Sequence, residues 1–89
     1  MRNDAFREWL RNIDGRPPRQ ESDNASRAKR VADDLKVNLD SEYDKDRCES
    51  IKDRLPSLLK RNGQPLNKND ISSLKTSISK YVAFRDWEL

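Results

Sequence analysis

The sequence predicts an all-α fold, a single compact bundle of four to five helices. Apolar residues recur at helical spacing in four segments, and no segment alternates apolar and polar residues as a strand would. The chain of 89 residues holds only two glycines, which weighs against a turn-rich all-β fold. This length suits one small domain, so we expect residues 1–89 to form one unit, either complete or the N-terminal domain of a longer protein.

The first helix is predicted between Asp4 and Ile13. Its apolar stripe comprises Phe6, Trp9, Leu10 and Ile13. Gly15 and two prolines stop this helix, so residues 14–21 are expected to form a loop. Ser22–Asn24 offers N-cap residues for the second helix. The apolar face of that helix comprises Ala25, Ala28, Val31, Ala32 and Leu35.

Two further helices complete the predicted bundle. The third is expected to be capped by Asp40 or Ser41, and Pro56 is expected to kink or break it at Arg54–Ser57 because proline removes a backbone hydrogen bond. Its buried stripe comprises Tyr43, Ile51, Leu55, Leu58 and Leu59. We expect Asn69 or Asp70 to cap the last helix. Its inner face comprises Ile71, Leu74, Ile78, Tyr81, Val82 and Arg85, widened by Phe84 and Trp87.

The composition excludes several kinds of chemistry. The chain has no histidine and one cysteine, so histidine-based catalysis, ordinary zinc sites and intramolecular disulfides are absent. We therefore expect a protein that is not an enzyme and that takes no cofactor, metal or small-molecule substrate. Cys48 is expected to be a buried structural thiol. No apolar run resembles a signal peptide or membrane span, which favours a cytoplasmic protein without membrane contact.

The basic residues are distributed unevenly along the chain. The formal net charge is only +3, but between Arg54 and Lys80 six basic residues accompany a single acidic residue, Asp70. The start of the last helix adds free backbone N–H groups and short hydroxyls, which suit a phosphate oxygen. We expect these residues to form a DNA-binding face with two arginines of the second helix. The candidate contact residues are Arg27, Arg30, Lys60, Arg61, Lys68, Lys75 and Lys80.

Both ends of the chain resemble a known helical module. The final helix, with Leu74, Ile78, Tyr81 and Phe84 in its stripe, looks like the last helix of the N-terminal core-binding (SAM-like) domain of tyrosine recombinases and phage integrases. The opening Ala5–Leu10 segment and the Ser26–Val31 segment are similar to the first and second helices of that module. The resemblance covers about half the chain. It implies a non-catalytic domain that clamps duplex DNA through phosphates and positions a recombinase or nuclease domain.

A second function follows from the acidic middle of the sequence. Residues 32–46 carry six acidic and two basic groups between two basic segments, a charge distribution suited to steering a protein partner. The acidic residues are Asp33, Asp34, Asp40, Glu42, Asp44 and Asp46. Such a face repels DNA but suits a basic protein, so a small helical interaction module or regulator of phage or plasmid type remains the alternative. The expected partner is thus duplex DNA of low sequence specificity or a protein.

Overall fold

In the computed structural model, which describes residues 2–60 and 62–88, the chain folds into five α-helices, and this confirms the all-α prediction. The helices are α1 (Asn3–Asn12), α2 (Pro18–Leu35), α3 (Leu39–Asp46), α4 (Glu49–Arg54) and α5 (Lys68–Glu88). A 3-10 turn at Leu55–Ser57 ends α4, where Pro56 predicts a break. The long helices α2 and α5 pack against each other, and α1 packs against both of them.

Small side chains bring α2 and α5 together. Ala25 and Ala28 are buried on α2, as predicted, and a residue without a bulky side chain lets a neighbouring helix approach closely. Ser77 of α5 is fully buried, and its hydroxyl donates a 3.2 Å hydrogen bond to the side-chain oxygen of Asn24 on α2. This bond satisfies two polar groups that would otherwise be costly to bury. It also fixes the middle of α5 against the first half of α2.

An aromatic cluster holds α1 against the C-terminal half of α5. The ring of Phe6 lies 5.0 Å from that of Tyr81, edge to face, and 5.6 Å from that of Phe84. Trp9 contacts the cluster from the side, with its ring 6.1 Å from Phe84. Such arrangements add about 0.5–1.5 kcal/mol per pair to the free energy gained by burial. Phe6 and Phe84 each contact the three other rings of the cluster.

The prediction for the start of the second helix is wrong. Helix α2 begins at Pro18, so the expected loop over residues 14–21 is shorter and Ser22–Asn24 lies inside the helix. Pro18 occupies the first helical turn, where its missing N–H costs nothing and its fixed φ already suits a helix. Pro17 before it is extended, with ψ of 155°. The pair of prolines ends one connection and starts a helix.

Helix α3 ends earlier than the sequence predicts. Arg47 and Cys48 both adopt left-handed backbone conformations, with φ of 56° and 65°, and they separate α3 from α4. Neither residue is glycine, so nothing in the sequence signals this break. The Cys48 thiol is buried as expected and lies 3.7 Å from the carbonyl oxygen of Leu39, which fixes the turn against the start of α3.

The predicted caps of α3 and α5 are each displaced toward the N-terminus. Asn38, not Asp40 or Ser41, caps α3, because its side-chain oxygen accepts a 2.8 Å hydrogen bond from the backbone N–H of Asp40. At the start of α5, Asn67 and Asp70 exchange backbone-to-side-chain hydrogen bonds of 2.8 and 3.3 Å, as in a capping box. The side chain of Asp40 is thereby left to reach α5.

Three residues predicted to be buried are largely exposed. Ile13, Leu59 and Trp87 have 54%, 54% and 56% of their surface accessible. Each stands at the end of its apolar stripe. Leu59 lies after the 3-10 turn, in an extended segment that pairs with Pro65.

Candidate nucleic-acid interface

The predicted contact residues fall on three elements. Arg27 and Arg30 lie on α2, and Lys60 lies in the connection before α5. Lys68, Lys75 and Lys80 lie on α5 itself. Arg61 lies outside the described residues. Whether each of the six described side chains is free to bind an anion depends on what it contacts within the fold.

Three of the predicted residues already have a carboxylate neighbour. Arg30 lies 3.2 Å from Asp34 and also donates a 2.8 Å hydrogen bond to the carbonyl oxygen of Leu59. The ammonium of Lys80 lies 3.0 Å from a carboxylate oxygen of Asp14, and both side chains are mostly buried.

Lys60 is the third of these residues. Its ammonium lies 3.7 Å from Asp70, which joins the connection to the first turn of α5. In all three cases the cation holds parts of the fold together, so a phosphate would have to compete with an existing partner.

The three other predicted residues that the structure describes are exposed. Arg27, Lys68 and Lys75 point to solvent, and among residues 2–60 and 62–88 none of them has an ion-pair or hydrogen-bond partner for its side chain. Lys68 and Lys75 are seven residues apart and thus share one face of α5. Arg27 follows Asn24 by one turn, and Asn24 contacts α5 through Ser77. These three cations are available to an external anion.

Hydroxyl groups complete the exposed face of α5 around its two free lysines. Ser72, Thr76 and Ser79 are all exposed, and their spacing from Lys68 places them on the same side of the helix. We call the set Lys68, Ser72, Lys75, Thr76 and Ser79 the α5 polar face. No acidic residue belongs to it, because Asp70 is turned toward the Asn67 cap and Lys60.

Sequence reasoning finds the lysines of this face but misses Thr76 and Ser79. Thr76 and Ser79 follow Lys68 at helical spacing, and this pattern in the sequence could have placed them on the same face as the lysines. Hydroxyls and lysines are the common donors to phosphate oxygens. The face therefore presents several donors and no competing carboxylate to one anionic surface.

The connection before α5 forms a small hairpin-like turn. Leu59 pairs with Pro65 in an isolated antiparallel bridge, and the backbone N–H of Lys60 donates to the carbonyl oxygen of Gln64 at 2.7 Å. Gly63 provides the left-handed residue that the turn requires, with φ of 85°. This turn places Lys60 beside the first turn of α5, at one end of the α5 polar face.

A cleft of about 480 Å³ separates this turn from α2. Its walls include Lys29, Arg30 and Lys60, which favour an anion, but Asp33 and Asp34 line the same space. The mixed charge does not define a phosphate pocket. The cleft is consequently a weaker candidate than the α5 polar face.

The acidic residues of α3 contact the other end of α5. Asp40 accepts hydrogen bonds of 2.5 Å each from the Tyr81 hydroxyl and the Arg85 guanidinium. Burial by itself raises the pKa of Asp40, but these hydrogen bonds outweigh it and hold the pKa below its usual value. Arg85 also lies 4.8 Å from the centre of the Tyr43 ring. Asp40, one of the six residues of the predicted acidic face, is therefore engaged inside the fold.

A second acidic contact lies nearby at the same end. Asp86 of α5 accepts hydrogen bonds from Tyr43 and Arg47, and the Tyr43 bond, followed by that from Arg47, lowers the pKa of Asp86 despite some desolvation. Asp33, Glu42 and Asp44 remain at the surface or partly exposed.

Comparison with known family models, with curated proteins and with solved structures finds no match to this chain. In the described part of the chain, no helix is both long and apolar enough to cross a membrane. Within the same residues, no cluster of three histidine, cysteine or acidic side chains is placed to hold a metal ion.

Proposed function

We propose that this chain binds duplex DNA through backbone phosphates, with the α5 polar face as the main contact surface. The observation that carries the proposal is that two free lysines and three hydroxyls share an exposed helix face without any carboxylate. The contact needs no base recognition, because lysines and hydroxyls on a regular helix match the repeating phosphates rather than base edges. We therefore expect low sequence specificity.

The dimensions of the face suit a DNA strand. Lys68 and Lys75 are separated by about 10 Å along the helix axis, at 1.5 Å per residue. That distance corresponds to about three phosphates of one strand along the duplex axis. Arg27 supplies a third free cation from α2, the helix that packs against α5. Three cations of this kind give a modest contact, so affinity falls steeply as salt rises.

The resemblance of the first and last helices to the core-binding domain of tyrosine recombinases supports the same proposal. In that module a helical domain holds the duplex while another domain performs the reaction. The positioning of a recombinase or nuclease domain by this chain stays a prediction. The α5 polar face carries the DNA proposal without it.

The test compares two lysines that differ only in location. Fluorescence anisotropy with a labelled duplex at about 50 mM and about 200 mM salt gives the affinity and its salt dependence. Lys75→Ala removes a cation from the α5 polar face, so we expect weaker binding at low salt and a salt slope reduced by about one unit. Lys45→Ala is the matched control, because Lys45 is also exposed and carries the same charge but lies on α3.

The two variants separate a local contact from a general charge effect. Both lower the net charge by one, so a binding surface restricted to α5 predicts a loss in Lys75→Ala alone. Equal losses in the two variants contradict the proposed surface. Absence of duplex binding by the parent chain at low salt contradicts the proposed function.

A further inference from the structure

An asparagine–glycine pair lies at the tip of the turn before α5. Asn62 is the only one of the seven asparagines of the chain that is followed by glycine. Asn62 and Gly63 are both exposed, and the side of Gly63 on which another residue would carry a Cβ faces open space, with no contact within 4 Å in the described part of the chain. The backbone of Gly63 is therefore sterically open.

A hydrogen bond within the turn bends the Asn62 side chain back over the backbone. The side-chain oxygen of Asn62 accepts a 3.1 Å hydrogen bond from the backbone N–H of Gln64, two residues further on. This bond closes a ring of atoms that includes the backbone nitrogen of Gly63, so the side-chain carbonyl carbon of Asn62 is folded back toward that nitrogen. The bond also polarises the carbonyl, which makes its carbon more electrophilic.

We propose that Asn62 is a site of spontaneous deamidation. The backbone nitrogen of Gly63 attacks the side-chain carbonyl carbon of Asn62, a C–N bond forms to give a cyclic imide, and the side-chain nitrogen leaves as ammonia with the proton of the attacking N–H. Water then adds to either carbonyl of the imide and opens the ring, which gives aspartate or isoaspartate. No group is oxidised or reduced, and the co-reactant is water.

A second hydrogen bond of the turn slows this reaction. The N–H of Gly63 donates to the carbonyl oxygen of Lys60 at 2.8 Å, so this bond has to break before the nitrogen attacks. An exposed turn that is held by the isolated bridge between Leu59 and Pro65 opens at a small cost in free energy. The bond therefore delays the attack without preventing it.

The other glycine of the chain provides an internal comparison. Gly15 follows Asp14, and an aspartate side chain forms the same imide when its carboxyl group is attacked. The carboxylate of Asp14, however, lies 2.7 Å from Arg16 and 3.0 Å from Lys80. An ionised carboxylate in two ion pairs is a poor electrophile, whereas the amide of Asn62 is neutral. We therefore expect the reaction at Asn62 and not at Asp14.

Mass spectrometry of proteolytic peptides, sampled while the folded chain is incubated in mildly alkaline buffer, tests the assignment. We expect Asn62 to lose its amide at least about tenfold faster than any other asparagine, which corresponds to a barrier lower by about 1.4 kcal/mol. Asn62→Ser keeps a side-chain oxygen for the N–H of Gln64 but has no carbonyl, so the acidic product should not form. Asn67→Ser is the matched control, because Asn67 is also exposed and also accepts a backbone hydrogen bond, but lysine follows it.

The rates at individual asparagines decide whether the assignment stands. Another asparagine that reacts as fast as Asn62 overturns it. An acidic product that accumulates in Asn62→Ser as fast as in the parent chain also overturns it. Loss of the product in Asn67→Ser assigns the reaction to Asn67 instead. These measurements are made without DNA.

The reaction also changes the charge of the turn. The new carboxylate shares the turn with Lys60, at one end of the α5 polar face, and its effect on DNA rests on the proposed function. Asn62→Asp reproduces this charge, and we expect it to weaken duplex binding about two- to fivefold at low salt. Asn12→Asp is the control, because Asn12 is exposed on α1 and the added charge is the same.

Anisotropy measurements on these two variants separate the two proposals. A loss of affinity in Asn62→Asp alone supports the effect of deamidation on DNA binding, and equal losses in both variants overturn that effect. A parent chain that binds no duplex overturns the proposed function, while the mass spectrometry still decides whether Asn62 deamidates.

Discussion

The two halves of α5 differ in how their side chains are used. In the C-terminal half, Tyr81 and Phe84 pack against α1, and Arg85 lies 2.5 Å from Asp40. In the N-terminal half, one face of the helix is fully exposed and its two lysines have no partners in the described part of the chain. We call the C-terminal half of α5, which includes Tyr81, Phe84 and Arg85, the structural half of the helix. The N-terminal half, in contrast, is open to an external ligand.

The distribution of carboxylates explains this difference. Acidic residues from α3 and from α5 itself surround Arg85, with Asp44 at 3.8 Å and Glu88 at 3.5 Å in addition to Asp40. Near the N-terminal half, Asp70 is engaged by the cap and by Lys60. Cations in the first region are neutralised within the fold, while those of the α5 polar face keep their full charge for a partner.

The largest effect is expected from breaking the aromatic contact of the structural half. Phe6→Ala removes a fully buried ring that contacts the three other rings of the cluster and should lower the free energy of unfolding by about 3–5 kcal/mol. A small domain has about 5–15 kcal/mol in total, so the variant should be barely folded or unfolded. Thermal melting followed by circular dichroism measures this. A parent-like melting temperature would show that α1 does not hold the C-terminal half of α5.

The second largest effect is expected from acid, which should lower the free energy of unfolding by weakening the contact between Asp40 and the structural half of α5. The folded chain holds the pKa of Asp40 below its usual value, so the unfolded chain binds more protons in acid. The resulting stabilisation is present above about pH 4 and is lost as the pH falls through the folded pKa. Urea unfolding at a series of pH values between about 7 and about 2.5 measures the loss.

Asp40→Asn sharpens this prediction. The amide does not titrate, so the variant should be less stable than the parent at neutral pH but should lose less stability on acidification. Some dependence on pH remains, because hydrogen bonds and nearby cations also lower the pKa of Asp14 against the effect of burial. Identical pH profiles for parent and variant would exclude Asp40 as a source of the acid sensitivity.

The long apolar patterns of the sequence account for most of the fold. Spacing of apolar residues is sufficient to identify α1, the body of α2, and α5, because tertiary packing follows that pattern directly. The break at Arg47 and Cys48 is not predictable in this way. Two non-glycine residues adopt left-handed conformations there, and the burial of Cys48 against Leu39 is a tertiary contact that local sequence does not encode.

The candidate site is only partly predictable for a related reason. Composition identifies the basic stretch, but which lysines remain free depends on carboxylates distant in sequence. Asp14 pairs with Lys80, which is 66 residues away in the sequence, and Asp70 pairs with Lys60 on the other side of a turn. Local spacing does find Lys68 and Lys75 on one face. It cannot show that Lys80, five residues further along the same helix, belongs to the fold instead.

The smallest expected effect is a difference in stability between alanine variants of Lys75 and Lys80, which lie on the same helix. Lys80→Ala breaks the partly buried ion pair with Asp14 and should cost about 1 kcal/mol, whereas an exposed Lys75→Ala should change stability by less than about 0.5 kcal/mol. Duplex affinity should respond in the opposite order, because Lys75 is free and the charge of Lys80 is neutralised by its neighbour. Melting temperature and anisotropy, measured on the same two proteins, give both quantities. If Lys80→Ala lost affinity as strongly as Lys75→Ala, the ion pair would open on binding, and the contact surface would extend from the α5 polar face to the structural half.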